Sequence, residues 1–223
     1  MPRAARIVIP ELPHHVTHHS NNYEEIFRTQ EDRLTYLNIL KWFTQKHSVK
    51  VLGYCLMTNH VHLILTPEDQ VSLGLLIHDA HKAYTEYANK SFGRAGHLWE
   101  GRYFSCAMDD EHCVAALRYV EQNPVRAGLA KLPWQYPWSS ARAHVEGMDR
   151  EGLLDFEWWR KNFTPAEWKD FLATPEDEKT ISEIRIRTKL GKPAGNEAFL
   201  KKLGEELGID LQVRPQGRPK KVT

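Results

Sequence analysis

Two histidines one residue apart interrupt an apolar run, Leu56-Met57-Thr58-Asn59-His60-Val61-His62-Leu63-Ile64-Leu65. The run reads as a half-buried strand, entered through a Thr58-Asn59 turn from a preceding strand over Val49 to Met57. Side chains alternate along a strand, so His60, His62 and Ile64 share one face and Val61, Leu63 and Leu65 the other. Two imidazoles on one rigid face are half of a metal site. Tyr119 and Asn123 stand four residues apart in a helical stretch and therefore on one helix face. A phenol oxygen becomes a nucleophile once its proton leaves or its charge is stabilised. Two imidazoles and one amide oxygen leave coordination positions for a phosphate oxygen and water, which suits Mg²⁺ or Mn²⁺. Singly, each of these residues is commonplace; together they say more, because each is placed on an element face where the others could meet it.

The elements that must position them follow from periodicity. Leu12 to His19, with four histidines and β-branched residues, reads as a first strand whose histidines line a solvent- or DNA-facing sheet surface. Thr29 with Asp32 three residues on opens a helix carrying Leu34, Leu37, Leu40 and Phe43. The two strands described above form a hairpin ending at Pro67. A second amphipathic helix, capped by Ser72, runs to about Ser91, and Tyr103 to Met108 makes a fourth strand. Asp109 or Asp110 caps a third helix, expected to stop at Asn123 because Pro124 disfavours helix before it. The aromatic tract Trp134 to Ala141 is expected to close over the core. This order predicts an α+β, ferredoxin-like fold: an antiparallel sheet with helices on one face and the other face left to a ligand.

Charge is partitioned along the chain. Residues 1–148 carry 15 basic and 15 acidic side chains, 149–180 carry 5 and 9, and 181–223 carry 10 and 5. All 12 histidines fall in the first segment, so chemistry is sought there and an anionic partner for the tail. The expected division is a catalytic domain over 1–148, an acidic, aromatic helical segment over 149–180 and a basic, helical DNA-contacting tail over 181–223. No apolar run approaches a membrane span, and the Met-Pro-Arg-Ala-Ala-Arg start lacks the apolar stretch of a signal peptide. Three cysteines without a CxxC pair suit the reducing cytoplasm, and a DNA partner would place the chain at the nucleoid.

The glycine-punctuated stretch Phe92 to Arg102 holds Arg94, His97, Trp99 and Arg102, suited to phosphate contact and base stacking; a structural loop with Trp99 buried is an equal reading. At the other end, Gly217-Arg218-Pro219 with Lys220 and Lys221 can lay an extended arginine in a narrow minor groove.

Four ordered motifs carry a resemblance. They are Cys55 to Ile64, Leu98-Trp99-Glu100-Gly101-Arg102-Tyr103-Phe104, Tyr119-Val120-Glu121-Gln122-Asn123-Pro124-Val125-Arg126-Ala127-Gly128, and Tyr136-Pro137-Trp138-Ser139-Ser140. Over roughly residues 1–145 the chain resembles the REP-associated tyrosine transposases, relatives of single-tyrosine HUH transposases. The resemblance implies that His60 and His62 hold the divalent metal, Tyr119 is the nucleophile and Asn123 is the third ligand. Many relatives have glutamine as that ligand, but Gln122 lies one position off the face. Arg126 joins Arg94, His97, Trp99, Arg102, Arg218, Lys220 and Lys221 as candidates for nucleic-acid contact.

The implied reaction is transesterification of single-stranded DNA at REP-type palindromic hairpins through a 5′-phosphotyrosine link, which conserves bond energy and requires no ATP. Two other readings stay open: a non-catalytic hairpin DNA- or RNA-binding regulator, and a nickase of the rolling-circle initiator or relaxase kind. The four-residue set argues against the first, and the lack of a partner helicase domain against the second.

Overall fold

The computed structural model describes residues 6–175 and 177–211. Its centre is a four-stranded antiparallel sheet in the order β2-β3-β1-β4, formed by β1 (His14–His19), β2 (Val49–Leu56), β3 (His60–Pro67) and β4 (Phe104–Ala107). Helix α1 (Gln30–Lys46) links β1 to β2, and α2 (Ser72–Phe92) links β3 to β4, giving the expected α+β, split βαβ arrangement. Thr29 and Asp32 form the capping box at the start of α1, with Asp32 N donating to Thr29 Oγ1 at 3.1 Å. Ser72 does not cap α2. Asp69 takes that role, its Oδ1 accepting from Val71 N at 2.8 Å and Ser72 N at 2.9 Å, because the longer-reaching carboxylate satisfies two orphan donors at once.

The alternation read from the sequence divides the sheet into two faces. Val16, Val61, Leu63 and Leu65 are fully buried against α1 and α2. The opposite face, expected to be left to a ligand, is covered too. Helix α3 (Asp110–Arg126) lies on it, with Cys113, Leu117 and Val120 fully buried against Leu52, Cys55 and Ile64. Burying the leucine and valine alone stabilises by about 1.5–3 kcal/mol each, so an apolar stripe of this kind has to find a sheet. Gly53 in β2 makes the close approach feasible, since a Cβ there would sit 2.2 Å from Leu117 Cδ1.

Helix α3 also runs through Pro124 to Arg126 rather than ending at Asn123. Proline removes one N–H donor, but the bonds beyond it survive: Ala127 N donates to Asn123 O and Gly128 N to Val125 O, both at 3.0 Å. The extra turn brings Arg126 back over Tyr119.

Trp138 O accepts from Leu56 N, and Tyr136 Oη donates to Leu56 O, both at 2.8 Å, so the aromatic tract closes over the outer edge of β2 as expected. Beyond α4 (Ala141–Glu146), helices α5 (Glu157–Asn162) and α6 (Pro165–Ala173) dock through the buried Trp159 and Trp168. Helix α7 (Glu178–Leu190) buries Ile181, Ile184 and Thr188, and α8 (Glu197–Leu207) starts at Asn196, whose side chain accepts from Phe199 N. Residues 192–194 run along the free edge of β4, where Ala194 N donates to Ala107 O at 2.8 Å. The three cysteines are buried and free. Among the described residues no helix is long and apolar enough to cross a membrane.

Candidate active site

The register of β1 on β3 sets His19 opposite His60 and Thr17 opposite His62. Directly paired residues share a face, so His15, His19, His60 and His62 converge on the side of the sheet that faces α3. The His60 and His62 ring centres are 5.0 Å apart, and His19 stacks on His60 at 4.7 Å. Tyr119 sets its ring edge-on to His62 at 5.7 Å and to His15 at 5.8 Å. A cavity of about 620 Å³ opens here, lined by His60, His62, Tyr119, Asn123 and Arg126 together with His15, His19, Arg185, Thr188 and Lys189. Five sequence-designated residues from two distant stretches thus meet in one cavity.

The imidazoles are held in the state a metal requires. Burial drives the His60 imidazole down to about 4 and that of His62 well below the ordinary histidine range, so both are neutral near pH 7. Asn59 Oδ1 lies 2.8 Å from His60 Nδ1, and His15 Nε2 lies 2.9 Å from His62 Nδ1. In each ring Nδ1 is engaged and Nε2 is the nitrogen left for coordination. Asn123 Oδ1 accepts from Arg126 at 2.9 Å and keeps a second lone pair, while its buried Nδ2 has no partner among the described residues.

No group of three or more His, Cys, Asp or Glu side chains among the described residues is arranged to hold a metal. A cation at this place would therefore rest on two imidazoles, one amide oxygen and oxygens from substrate or water. That donor set fits a divalent ion that keeps open positions.

His15, His19, Arg185 and Thr188 belong to the cavity and were not among the designated residues. Strand alternation does put His15, Thr17 and His19 on one face, but nothing in the chain says that β1 pairs with β3. Arg185 and Thr188 come from α7, where no spacing signals a site.

The loop residues lie elsewhere. Trp99 is buried on the other face of the sheet, its ring stacked on His81 at 4.0 Å and on His18 at 5.0 Å, with Nε1 donating to His81 O. Arg94 pairs with Glu24 at 2.7 Å, and His97 and Arg102 line a second cavity with Trp99. Among the described residues, only Arg126 of the designated nucleic-acid contacts reaches the active-site cavity. Arg218, Lys220 and Lys221 lie outside the described residues.

Residues 9–123 match the family model described as IS200-like transposase. Among solved structures, a REP-associated tyrosine transposase bound to a REP hairpin is similar, with a TM-score of 0.56 and 18% identity over 70% of this chain and 96% of that one. A putative transposase from Deinococcus radiodurans has a TM-score of 0.37 at 17% identity, covering 54% of this chain and 97% of its own. No curated protein matches the chain.

Proposed function

Since the chain belongs to the IS200-like transposases, we propose that it nicks and rejoins single-stranded DNA at REP-type hairpins through a covalent 5′-phosphotyrosine intermediate on Tyr119. The observation that carries this reading is the convergence of Tyr119, Asn123, His60 and His62 in one cavity. Hairpin binding alone requires neither a neutral imidazole pair nor a phenol beside it.

Tyr119 Oη attacks the scissile phosphorus while the P–O3′ bond breaks. The phenol proton ends, through solvent, on the 3′ oxygen, leaving a free 3′-hydroxyl and a 5′-phosphate ester on Tyr119. Attack of a 3′-hydroxyl on that ester reverses the step and rejoins the strand. His60 Nε2, His62 Nε2 and Asn123 Oδ1 would hold Mg²⁺ or Mn²⁺, which when bound withdraws charge from a non-bridging phosphate oxygen. Burial keeps the two imidazoles unprotonated for that role, and Asn59 and His15 orient them. Arg126, held over the Tyr119 ring at 4.3 Å and donating to Tyr119 O, fixes the position of the nucleophile's backbone and offers positive charge to the strand.

Residues 1–148 form the nicking unit in this reading, 149–180 a docked brace and 181–223 the DNA-contacting extension. The chain acts in the cytoplasm, at the nucleoid. With Y119F, the covalent protein–DNA band on a denaturing gel is expected to vanish and nicking of a hairpin-bearing single strand to fall to background. Undiminished cleavage overturns the assignment. A wild-type protein that binds the hairpin yet forms no covalent band with either metal would be a binding regulator instead.

The tail adds affinity in this scheme. Deleting residues 212–223, which lie outside the described residues, is expected to weaken hairpin binding without abolishing nicking. Each lost phosphate contact should flatten the slope of log K against log salt by about 0.7–0.9. Binding isotherms at several salt concentrations measure both, and unchanged slopes would exclude the tail from the interface.

A further inference from the structure

Helix α7 lies outside the region matched by the family model, which ends at residue 123, yet it touches both halves of the active site. Arg185 Nε donates to Tyr119 Oη at 3.3 Å, and the guanidinium carbon is 5.7 Å from the Tyr119 ring centre. One turn on, Thr188 Oγ1 lies 2.8 Å from His15 Nδ1, and His15 Nε2 in turn meets His62 Nδ1. The helix is anchored rather than loosely apposed. Ile181, Ile184 and Thr188 are buried, and Arg187 is tied to Glu183 at 2.7 Å and to Pro193 O at 2.9 Å. Lys192 O accepts from Cys106 Sγ at 3.0 Å, and Asp109 N donates to Ala194 O at 3.1 Å, fastening the chain after α7 to β4 and to the cap of α3. The two ends of the Arg185–Tyr119 contact are therefore held by one framework.

We propose that Arg185 is a catalytic residue of this enzyme, its guanidinium stabilising the Tyr119 phenol oxygen as the proton leaves and then the phosphate that oxygen attacks. The inference rests on the reading of Tyr119 as nucleophile. The reaction is the one already balanced: the Oη–P bond forms, the P–O3′ bond breaks and the phenol proton ends on the 3′ oxygen. Arg185 contributes charge and hydrogen bonds without exchanging a proton, as a guanidinium stays protonated throughout. Two features favour such a role over simple packing. The donor nitrogen addresses the reacting oxygen itself, and among the described residues lining the cavity Arg126 and Lys189 stand against a single carboxylate, Glu100. A guanidinium also matches a phosphate with paired donors, which an ammonium cannot do.

The test uses the full-length protein with a hairpin-bearing single strand and Mn²⁺, measuring hairpin Kd and the single-turnover rate of covalent adduct formation. R185A is expected to slow adduct formation on the order of 100-fold, the usual cost of removing one donor from a developing oxyanion. Hairpin Kd should change by less than about 3-fold, the effect of one exposed phosphate contact at most. Added guanidinium ion at millimolar concentration should restore part of the rate in R185A and none in Y119F. R185K preserves the aliphatic stem and so the packing of α7, and is expected to fall between R185A and wild type. A wild-type rate in R185A overturns the proposal. So does a rate loss matched by an equal loss of affinity and insensitive to guanidinium, which would make Arg185 a strand-binding residue only. If Y119F retains the covalent band, the nucleophile assignment falls first. If Y119F is inert and R185A is unimpaired, only the role of Arg185 is lost.

Discussion

E121A is expected to lower the melting temperature by on the order of 10 °C. Glu121 is fully buried two residues after Tyr119 and is hydrogen-bonded by three side chains, two from α4 and its N-cap and one from α6. Ser140 Oγ donates at 2.5 Å, His144 Nδ1 lies 2.6 Å away, and Trp168 Nε1 donates at 2.8 Å. Ser140 Oγ accepts in turn from Tyr54 N at 3.1 Å, which carries the network onto β2. Removing the carboxylate leaves three buried polar groups without an acceptor and a cavity in their midst. Each buried donor left without its acceptor costs about 1–3 kcal/mol, and for a chain of this length each kcal/mol shifts the midpoint by about 2–4 °C. S140A removes one donor from a carboxylate that keeps two, so it should cost about 1–2 kcal/mol. Thermal unfolding followed by circular dichroism checks both. An E121A shift under about 3 °C would mean the network contributes little to stability.

That network also shows which parts of the molecule were legible in the chain. The strand–helix order was readable because each element repeats apolar residues at its own period, as in Val61, Leu63 and Leu65 on β3 or Cys113, Leu117 and Val120 on α3. The relation of Tyr119 to Asn123 followed from helical spacing and that of His60 to His62 from strand alternation. Pairing across distant segments has no such periodicity. Glu121 stands in a motif beside the nucleophile, but nothing local says that a carboxylate there will be enclosed by Trp168 and His144. His15 was readable as a strand residue and not as the partner of His62, because strand order decides that. Pro124 misled for the opposite reason: a sound local rule was outweighed by the hydrogen bonds beyond it and by the packing of Arg126 on Tyr119. Trp99 was an even choice between stacking on bases and packing inside, and burial against His81 and His18 resolves its position.

Acid is expected to unfold the protein between about pH 5 and 4, through buried histidines on both faces of the sheet, with those away from the active site held in the most extended hydrogen-bond chain. His14 uses both ring nitrogens in its neutral form: Nδ1 lies 2.8 Å from Leu12 O, and Nε2 accepts from Ile9 N at 3.2 Å. His18 and His81 form a chain in which Tyr36 Oη lies 2.9 Å from His81 Nε2, the two Nδ1 atoms are 2.7 Å apart, and His18 Nε2 faces Glu100 O at 3.2 Å. With both rings neutral that chain has a donor and an acceptor at each link, and a proton added to His18 Nδ1 sets two donors against each other. Burial accordingly drives His14 and His18 down to about 4, and His81 well below its ordinary range. In the unfolded chain these groups titrate near 6.5, so the unfolded state binds more protons at lower pH. Stability is therefore complete above about pH 6.5 and falls as the pH drops toward the folded values, by about 1.4 kcal/mol per histidine per pH unit. Two such histidines remove roughly 5 kcal/mol by pH 4.5, comparable to the whole stability of many domains. The slope of unfolding free energy between pH 6.5 and 5 should therefore correspond to the uptake of two or more protons. A melting temperature unchanged from pH 7 to pH 5 would show that these rings carry protons in the folded state and that the neutral chain from Tyr36 to Glu100 does not exist.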